Sequence, residues 1–371
     1  MPTKNNYFNI LIKPCSSDCN LHCDYCFYLK KSKLYPGSNI HKMSSNILER
    51  LISTYLNTEQ QHYVFLWQGG EPLLMGLDFF KNAINLQQKY GKPGTLITNI
   101  IQTNGTLIND DWCKFFNEYK FLVGISIDGP KNLHDIYRKN GDRGSHSTVI
   151  KSIRCLQKNQ VDFNALVAVH NKNIDYPIKI MKSLVNLNIF YHQYIPIIEF
   201  DSHGNPLPWT ITGESWGKFL IELFDHWQSK YLKKVSVRIF DSIINYMLNR
   251  QKNICSWHQD CSSYYVIEYN GDVYPCDFFV EKSYKLGNIS KNNWQYFNKS
   301  KIKEQFNKKK SILHKYCNTC SYLQLCMGGC PKYKKYKPIN PNNLSWLCKG
   351  WKAFLDHSLS KFDTIIKDNL I

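Results

Sequence analysis

The sequence predicts an α/β fold in two parts, a parallel sheet with crossover helices followed by a cysteine-rich C-terminal part. Strand-like and helix-like segments alternate six times before Ile198, where the alternation stops. Eight of the 14 cysteines then fall between residues 255 and 348. Alternation of this kind is typical of parallel strands joined by right-handed crossovers, in a sheet that is open or curled into a partial barrel.

Six segments of the first part have the short apolar runs of buried strands. They are 8–13, 63–67, 96–102, 122–127, 163–169 and 191–197. Between them, apolar residues at three- and four-residue spacing predict amphipathic helices over 45–56, 78–90, 110–118, 148–158 and 176–187. Chemistry in such folds gathers where strands end at their carboxyl edges. We therefore expect the functional site in the loops that follow these strands.

The second part begins with helices predicted over 214–232 and 241–250, and the domain change is expected between 235 and 254. Asn270-Gly271, between apolar segments 264–269 and 273–274, predicts a β-hairpin. We expect three regions, a partial barrel over 1–235, a linking helix over 236–254 and a cysteine-rich domain over 255–371.

The composition, 43% hydrophobic with 14% aromatic residues, excludes a disordered or low-complexity chain. A formal charge of +18 first suggests a nucleic-acid partner. Only six of the 47 basic residues are arginine, however, and specific nucleic-acid readers favour the forked guanidinium group. No nucleic-acid partner is therefore expected. The dense run Lys308 to Lys310 is expected to be an exposed helix end.

No stretch approaches the roughly 18 to 20 apolar residues of a membrane span. Residues 1–12 lack the apolar core and cleavage site of a signal peptide. We therefore expect a cytoplasmic protein without a membrane partner. In that reducing compartment, many cysteines indicate a metal site or catalysis before they indicate disulfides.

The first cysteine set has the spacing C-x3-C-x2-C directly after the first strand, with Cys19, Cys23 and Cys26. Three thiolates on one short loop can hold three corners of a 4Fe-4S cluster and leave the fourth iron open, as a catalytic site requires. The alternative is a zinc knuckle, which this set fits poorly because tetrahedral zinc needs a fourth ligand. Cys15 falls outside this spacing and is expected to be a spare thiol.

Together with Gly69-Gly70-Glu71-Pro72 after the second strand, this loop resembles the signature of radical S-adenosylmethionine enzymes. The resemblance implies a partial (β/α)6 barrel. It also implies that the open iron chelates the amino and carboxylate groups of S-adenosylmethionine and that an electron from the cluster cleaves it to a 5'-deoxyadenosyl radical. Without the cysteines, the two glycines would indicate only a tight turn.

The eight cysteines between residues 255 and 348 form the second set. Seven of them have a spacing that resembles the SPASM extension of peptide-modifying radical enzymes, and Cys255 adds an eighth. The resemblance implies two auxiliary 4Fe-4S clusters and hence three clusters in the chain. One would be held by Cys255, Cys261, Cys276 and Cys330. The other would be held by Cys317, Cys320, Cys326 and Cys348. Zinc remains an alternative because C-x2-C-x5-C spacing also occurs in zinc sites.

Several motifs are similar to those of the anaerobic sulfatase-maturating enzymes. They are Cys26-Phe-Tyr, Trp67-Gln-Gly-Gly-Glu-Pro, Gln102-Thr-Asn-Gly-Thr, the segment 121–130 and Tyr274-Pro-Cys-Asp-Phe. This family oxidises a Cys or Ser of a type I sulfatase, within a C/S-x-P/A-x-R motif, to Cα-formylglycine without oxygen. The resemblance makes Asp277 the general base. The alternative is a solvated carboxylate in a turn.

The family match places five residues at S-adenosylmethionine: Tyr25, Gly70, Ser126, Arg138 and Ile198. Ser126 and Arg138 are physically suitable donors to ribose and carboxylate oxygens. The implied partners are a sulfatase polypeptide and a reducing electron donor of the flavodoxin or ferredoxin type.

Two other functions remain open at this stage. The cysteine layout also fits another SPASM-type peptide maturase, for example a thioether-forming one. A zinc-bearing nucleic-acid-binding protein is the alternative from a different class. Cys113 and Cys155 lie on predicted helices and are expected to be small buried hydrophobic residues.

Overall fold

The computed structural model of the chain describes residues 7–36, 40–340 and 342–370. Residues 1–6, which belong to the segment predicted to lack a signal peptide, lie outside the described residues. Two compact units are present. Unit 1 consists of Met1–Ile125, Arg138–Phe163 and Cys261–Asn307, and unit 2 consists of Ser126–Tyr137, Asn164–Asp260 and Lys308–Ile371. The domains expected over 1–235, 236–254 and 255–371 stay a prediction, because each unit combines distant stretches of chain.

The strands are β1 Asn9–Lys13, β2 His62–Trp67, β3 Leu96–Thr103, β4 Leu122–Ser126, β5 Lys139–Asn140, β6 Arg143–Gly144, β7 Phe163–Val169, β8 Tyr191–Pro196, β9 Ser236–Val237, β10 Tyr264–Glu268, β11 Asp272–Tyr274 and β12 Gly287–Asn288. The helices are α1 Ser45–Leu56, α2 Leu77–Tyr90, α3 Asp110–Glu118, α4 Lys131–His134, α5 His146–Lys158, α6 Pro177–Asn186, α7 Gly213–Lys230, α8 Arg238–Asn249, α9 Trp294–Asn298, α10 Lys301–Ser311, α11 Leu323–Cys326 and α12 Cys348–Leu370.

The sheet of unit 1 is built around β1, in the order β12-β11-β10-β1-β2-β3-β4. Strand β1 is parallel to both of its neighbours, so Ile12 lies opposite Trp67 on β2 and Ile267 on β10. These three side chains are fully buried, as expected for strands covered on both faces. The predicted hairpin is confirmed as the antiparallel pair β10–β11, with Gly271 at φ +84° in the turn.

Unit 2 contains the parallel strands β7, β8 and β9 and the helix pair α7 and α12. Glycines let the two helix backbones come very close. A Cβ on Gly217 would lie 2.7 Å from the Cα of Gly350, and a Cβ on Gly350 would lie 2.0 Å from the carbonyl oxygen of Gly213. Larger residues at these positions would force the helices apart.

The six predicted strands and the five helices between them are confirmed, with bounds that shift by at most two residues. Helix α8 begins at Arg238, three residues earlier than predicted, because the chain passes directly from β9 into the helix. The expectation for Lys308 to Lys310 was wrong in one respect. Lys308 and Lys309 are exposed at the end of α10, but Lys310 is fully buried. No helix of the described ranges is long and apolar enough to cross a membrane.

Candidate active site

The loop that carries the first cysteine set is fixed by the turn after β2. The amide of Gly70 donates to the carbonyl of Ser16 at 2.8 Å, and the amide of Glu71 donates to the carbonyl of Asp18 at 2.8 Å. A Cβ on Gly70 would lie 1.9 Å from the Asp18 carbonyl oxygen. Only glycine leaves room for the Asp18 carbonyl at this position. Gly70 therefore has a packing role that does not depend on any contact with a cofactor.

Glu71 connects this turn to the end of β3. Its buried carboxylate accepts hydrogen bonds from the Thr103 hydroxyl at 2.8 Å and the Asn104 amide at 2.7 Å. The Asn104 side chain donates in turn to the Cys19 sulfur at 3.6 Å. Burial raises the pKa of Glu71 to about 7 against these hydrogen bonds. Sequence reasoning missed Asn104 as a neighbour of Cys19, although its motif was noted.

None of the three cysteines of the loop is paired in a disulfide. Cys23 is buried, while Cys19 and Cys26 are partly exposed. Burial raises the pKa of Cys19 to about 11. A cluster iron binds the thiolate form, so metal binding would release the proton that burial otherwise retains. Three cysteines at this spacing, two of them partly exposed, therefore fit a 4Fe-4S cluster.

Two of the predicted S-adenosylmethionine residues lie together in unit 1. The Arg138 guanidinium carbon is 5.6 Å from the centre of the Tyr25 ring. The amide of His22, inside the cysteine loop, donates to the carbonyl of Lys139 at 2.9 Å. The segment from Arg138 therefore borders the cysteine loop. Ser126 at the end of β4 and the fully buried Ile198 beyond β8 belong to unit 2.

Asp277, the predicted base, is buried next to Cys276 in a short 3₁₀ turn over Asp277–Phe279. One carboxylate oxygen accepts from the Tyr264 hydroxyl at 3.2 Å and from the Phe278 amide at 3.1 Å. The Tyr264 hydroxyl is also 3.4 Å from the Cys276 sulfur. The alternative of a solvated turn carboxylate is inconsistent with this burial. Tyr264 is a site residue that sequence reasoning missed.

The turn of Asp277 lies against the first cysteine loop within unit 1. The rings of Phe278 and Phe27 are 4.9 Å apart, and Phe27 directly follows Cys26. The structure therefore brings the candidate base and the candidate ligand Cys26 into one neighbourhood, although 250 residues separate them in sequence.

A buried lysine occupies the same neighbourhood. The Lys13 ammonium donates to the Gln68 side chain at 2.7 Å and lies 3.9 Å from the centre of the Tyr28 ring. Burial lowers the pKa of Lys13, and the nearby Asp277 and Glu268 carboxylates oppose that shift. Lys13 therefore places positive charge beside the candidate base. Its position at the end of β1 carried no signal for this role in the sequence.

The first auxiliary set is divided between the two units. Cys261 and Cys276 belong to unit 1, where they join one apolar cluster with Phe279 and Phe306. The Lys303 ammonium, itself buried, donates to the carbonyl of Cys261 at 3.0 Å. Cys255 and Cys330 belong to unit 2. Unit 1 thus brings together two of the four predicted ligands.

The second auxiliary set lies entirely within unit 2. Its members are Cys317, Cys320, Cys326 and Cys348. Burial first, and then the proximity of the three other cysteines, raise the pKa of Cys348 to about 11. Nearby, the Lys310 ammonium donates to the carbonyls of Met327 at 2.6 Å and Gly329 at 2.5 Å. The chain segment after Cys326 is therefore fixed by a buried cation.

Throughout residues 7–36, 40–340 and 342–370, no three His, Cys, Asp or Glu side chains are grouped as ligands of a single metal ion. The cluster ligand sets stay predictions, supported by the neighbourhoods described above.

Comparison with known proteins defines the class. The profile of the radical SAM superfamily matches residues 14–184, and that of the SPASM iron-sulfur cluster-binding domain matches residues 255–321. Together with the parallel sheet, these matches confirm the predicted fold class. The chain is a radical S-adenosylmethionine enzyme with an iron–sulfur cluster-binding SPASM domain.

Full-length relatives define the family. The chain is 37% identical to the serine-type anaerobic sulfatase-maturating enzyme of Bacteroides thetaiotaomicron, over 97% of this chain and 91% of that one. It is 34% identical to the cysteine-type enzyme of Clostridium novyi, over 97% of each. A solved structure of native anSMEcpe with bound AdoMet and Cp18Cys peptide matches with a TM-score of 0.90 at 32% identity, covering 97% of this chain and 99% of that one. The chain belongs to the anaerobic sulfatase-maturating enzymes.

Proposed function

We propose that this enzyme oxidises a Cys or Ser of a type I sulfatase, within a C/S-x-P/A-x-R motif, to Cα-formylglycine without oxygen. The observation that carries the proposal is the buried Asp277 carboxylate, which lies beside Cys276 and against the first cysteine loop. Related enzymes named for sulfatase maturation, and the peptide-bound structure of anSMEcpe, support the same reaction.

The proposal includes three 4Fe-4S clusters. Cys19, Cys23 and Cys26 would hold the catalytic one. Cys255, Cys261, Cys276 and Cys330 would hold one auxiliary cluster, and Cys317, Cys320, Cys326 and Cys348 would hold the other. The support is the family pattern of their spacing, and none of the eleven cysteines is paired in a disulfide.

S-adenosylmethionine would bind next to the catalytic cluster. Tyr25 and Arg138 already adjoin each other at the cysteine loop, and Gly70 lies in the turn that fixes this loop. The guanidinium of Arg138 suits carboxylate oxygens, and the hydroxyl of Ser126 suits ribose oxygens. The assignment of Ile198 rests on the family match.

The conversion removes a hydrogen atom, a proton and an electron from the target side chain. A Ser target becomes the aldehyde directly, whereas a Cys target becomes a thioaldehyde that water hydrolyses to the aldehyde with release of hydrogen sulfide. When bound, the cofactors supply the 5'-deoxyadenosyl radical that takes the Cβ hydrogen and an acceptor for the electron. Asp277 accepts the thiol or hydroxyl proton as the general base, a role that requires the bound target side chain to come within hydrogen-bond reach of this carboxylate. The Tyr264 hydroxyl and the Phe278 amide orient the carboxylate, and the buried Lys13 lies in the same neighbourhood.

The partners we propose are a sulfatase polypeptide as substrate and a flavodoxin- or ferredoxin-type reductant. The peptide in the anSMEcpe structure supports a polypeptide substrate. A cytoplasmic location would keep eleven thiolate ligands reduced. The regions 1–235, 236–254 and 255–371 would serve as radical barrel, linking helix and auxiliary-cluster domain.

Replacement of the base tests the proposal. Asp277→Asn should retain the iron content and still cleave S-adenosylmethionine, because the cysteines are unchanged. It should lose at least about 100-fold in formylglycine formation on a Cys-x-Pro-x-Arg peptide, the usual contribution of a general base. Mass analysis for the aldehyde measures the product. Product formation at the wild-type rate would exclude Asp277 as the base.

A further inference from the structure

Two cysteines outside the cluster sets lie in contact with each other. Cys113 on α3 and Cys155 on α5 have their sulfur atoms 3.0 Å apart, and both belong to unit 1. Cys113 is fully buried, whereas Cys155 is partly exposed. The expectation that both are buried hydrophobic residues is therefore wrong for Cys155.

The surroundings of the pair are polar on the Cys155 side. The Asn159 side chain donates to the Cys155 carbonyl at 3.0 Å, lies 3.8 Å from its sulfur and also donates to the Asp110 carboxylate at 3.1 Å. Asp110 itself is about half exposed and bridged to Lys114 on the same helix. A small solute can thus approach Cys155 from solvent, while Cys113 lies behind it.

We propose that Cys113 and Cys155 are an oxidisable thiol pair that forms an intramolecular disulfide between α3 and α5. The chemical class of oxidant is a low-molecular-weight disulfide. Closure to a bond of about 2.05 Å requires the two sulfur atoms to approach each other by only about 1 Å.

The exchange balances in two steps. The Cys155 thiolate attacks the small disulfide, forms a mixed disulfide and releases one small thiol. Cys113 then attacks the Cys155 sulfur and displaces the second small thiol, so two protein thiols are oxidised and one small disulfide is reduced. The two protons of the protein thiols end on the two released thiols. Cys155 reacts first because it is partly exposed, whereas Cys113 is fully buried and burial raises its pKa.

The cross-link would join two helices that flank a loop of the active site. The Ser152 hydroxyl on α5 donates to the Gly105 carbonyl at 2.6 Å, and Asn109 caps the start of α3. Asn104 in the same loop contacts the Cys19 sulfur. The disulfide would therefore stabilise the two helices next to the loop of Asn104, which contacts the first cysteine loop. It would use none of the proposed cluster ligands.

The test uses the anaerobically purified full-length enzyme, treated with oxidised glutathione, alkylated under denaturing conditions and mapped by mass spectrometry without reduction. We expect a linked pair of peptides containing residues 113 and 155, about 2 Da lighter than the two reduced peptides together. The link should disappear in Cys113→Ala and in Cys155→Ala, and it should persist in Cys15→Ala, which removes a different spare thiol.

A thermal measurement gives a second readout. Oxidation should raise the unfolding temperature of the wild type but not that of the Cys113→Ala/Cys155→Ala variant, because the cross-link restricts the unfolded chain. The proposal fails if both cysteines of the oxidised wild type are recovered fully alkylated. It also fails if Cys113 pairs with a cluster cysteine as often as with Cys155.

Discussion

The first cysteine loop and the second auxiliary set are held in different ways. The loop of Cys19 is fixed by backbone hydrogen bonds to the Gly70 turn and by the Asn104 side chain. The segment after Cys326 is fixed by the buried ammonium of Lys310. The first arrangement leaves Cys19 and Cys26 partly exposed, whereas the second places a buried lysine close enough to Cys326 to oppose the rise of its pKa.

This difference corresponds to different tasks. A catalytic cluster needs an open iron and a loop whose shape is set by neighbouring turns. A fully ligated auxiliary cluster is a buried anion, and a buried charge needs a nearby opposite charge. We therefore expect backbone fit to control the catalytic loop and charge to control the auxiliary site.

The largest effect is expected from Gly70→Ala. The added Cβ would lie 1.9 Å from the Asp18 carbonyl oxygen, so the cysteine loop must move. We expect a loss of at least about 100-fold in S-adenosylmethionine cleavage and a destabilisation of about 3 kcal/mol, measured by chemical unfolding. Gly94→Ala is the control for backbone strain without a clash, because Gly94 has a φ of +79° but no atom lies within 4 Å of the new Cβ. Normal cleavage by Gly70→Ala would contradict the role of backbone fit.

The matching test for the second auxiliary cysteine set is Lys310→Met. It leaves the carbonyls of Met327 and Gly329 without their buried donor, which should cost about 2 to 4 kcal/mol of unfolding free energy. Iron content should also fall, because the cluster loses a nearby cation. Lys309→Met on the exposed side of the same helix end should change stability by less than about 0.5 kcal/mol. Equal effects of the two substitutions would refute the role of the buried Lys310 ammonium at the second auxiliary set.

Glu71 gives a prediction for pH. Its folded-state pKa of about 7 lies above the usual carboxyl value, so the folded state binds more protons than the unfolded state between these values. The protonated Glu71 therefore contributes to the free energy of unfolding at low pH. This stabilisation, up to about 3 kcal/mol, is lost as the pH rises from the usual carboxyl pKa through about 7. Unfolding free energies from pH 5 to 8 should therefore decline more in the wild type than in Glu71→Gln. Parallel pH curves would contradict this.

The smallest effect is expected from Asn104→Ala, which removes a side-chain donor to the Cys19 sulfur. Residues that support metal ligands typically contribute about 10- to 100-fold to affinity or activity. We expect an effect near the lower limit of this range, about a tenfold slower cleavage of S-adenosylmethionine. Stability should fall by about 1 kcal/mol, because the Thr106 amide also donates to the Asn104 side chain. Asn186→Ala, at the exposed end of α6, is the control. An unchanged cleavage rate would show that the Gly70 turn alone fixes the loop.

Local patterns were sufficient for the first part of the fold. Helix α1 was predicted over 45–56 and has these bounds, because its apolar spacing and the Ser44 cap both lie in the local sequence. Helix α12 was not predicted. Its position depends on α7, through glycines that are more than 130 residues apart in sequence.

In the candidate site, too, local sequence patterns could not predict contacts between distant segments. Spacing and resemblance identified Asp277 and the cysteines, but not Lys13, Tyr264 or Asn104, whose roles arise from contacts with distant segments. Lys310 shows it most clearly, because a run of three lysines normally indicates a solvated surface. Its burial depends on the carbonyls that the chain segment after Cys326 turns toward it.

The iron and sulfide content of the anaerobically purified enzyme tests the central claim most directly. Three 4Fe-4S clusters predict about twelve irons and a matching amount of sulfide per chain. The triple variant Cys19→Ser/Cys23→Ser/Cys26→Ser should retain about eight of each, because the auxiliary sets are unchanged. Zinc in place of iron, or a wild-type iron content no higher than that of the triple variant, would contradict the account.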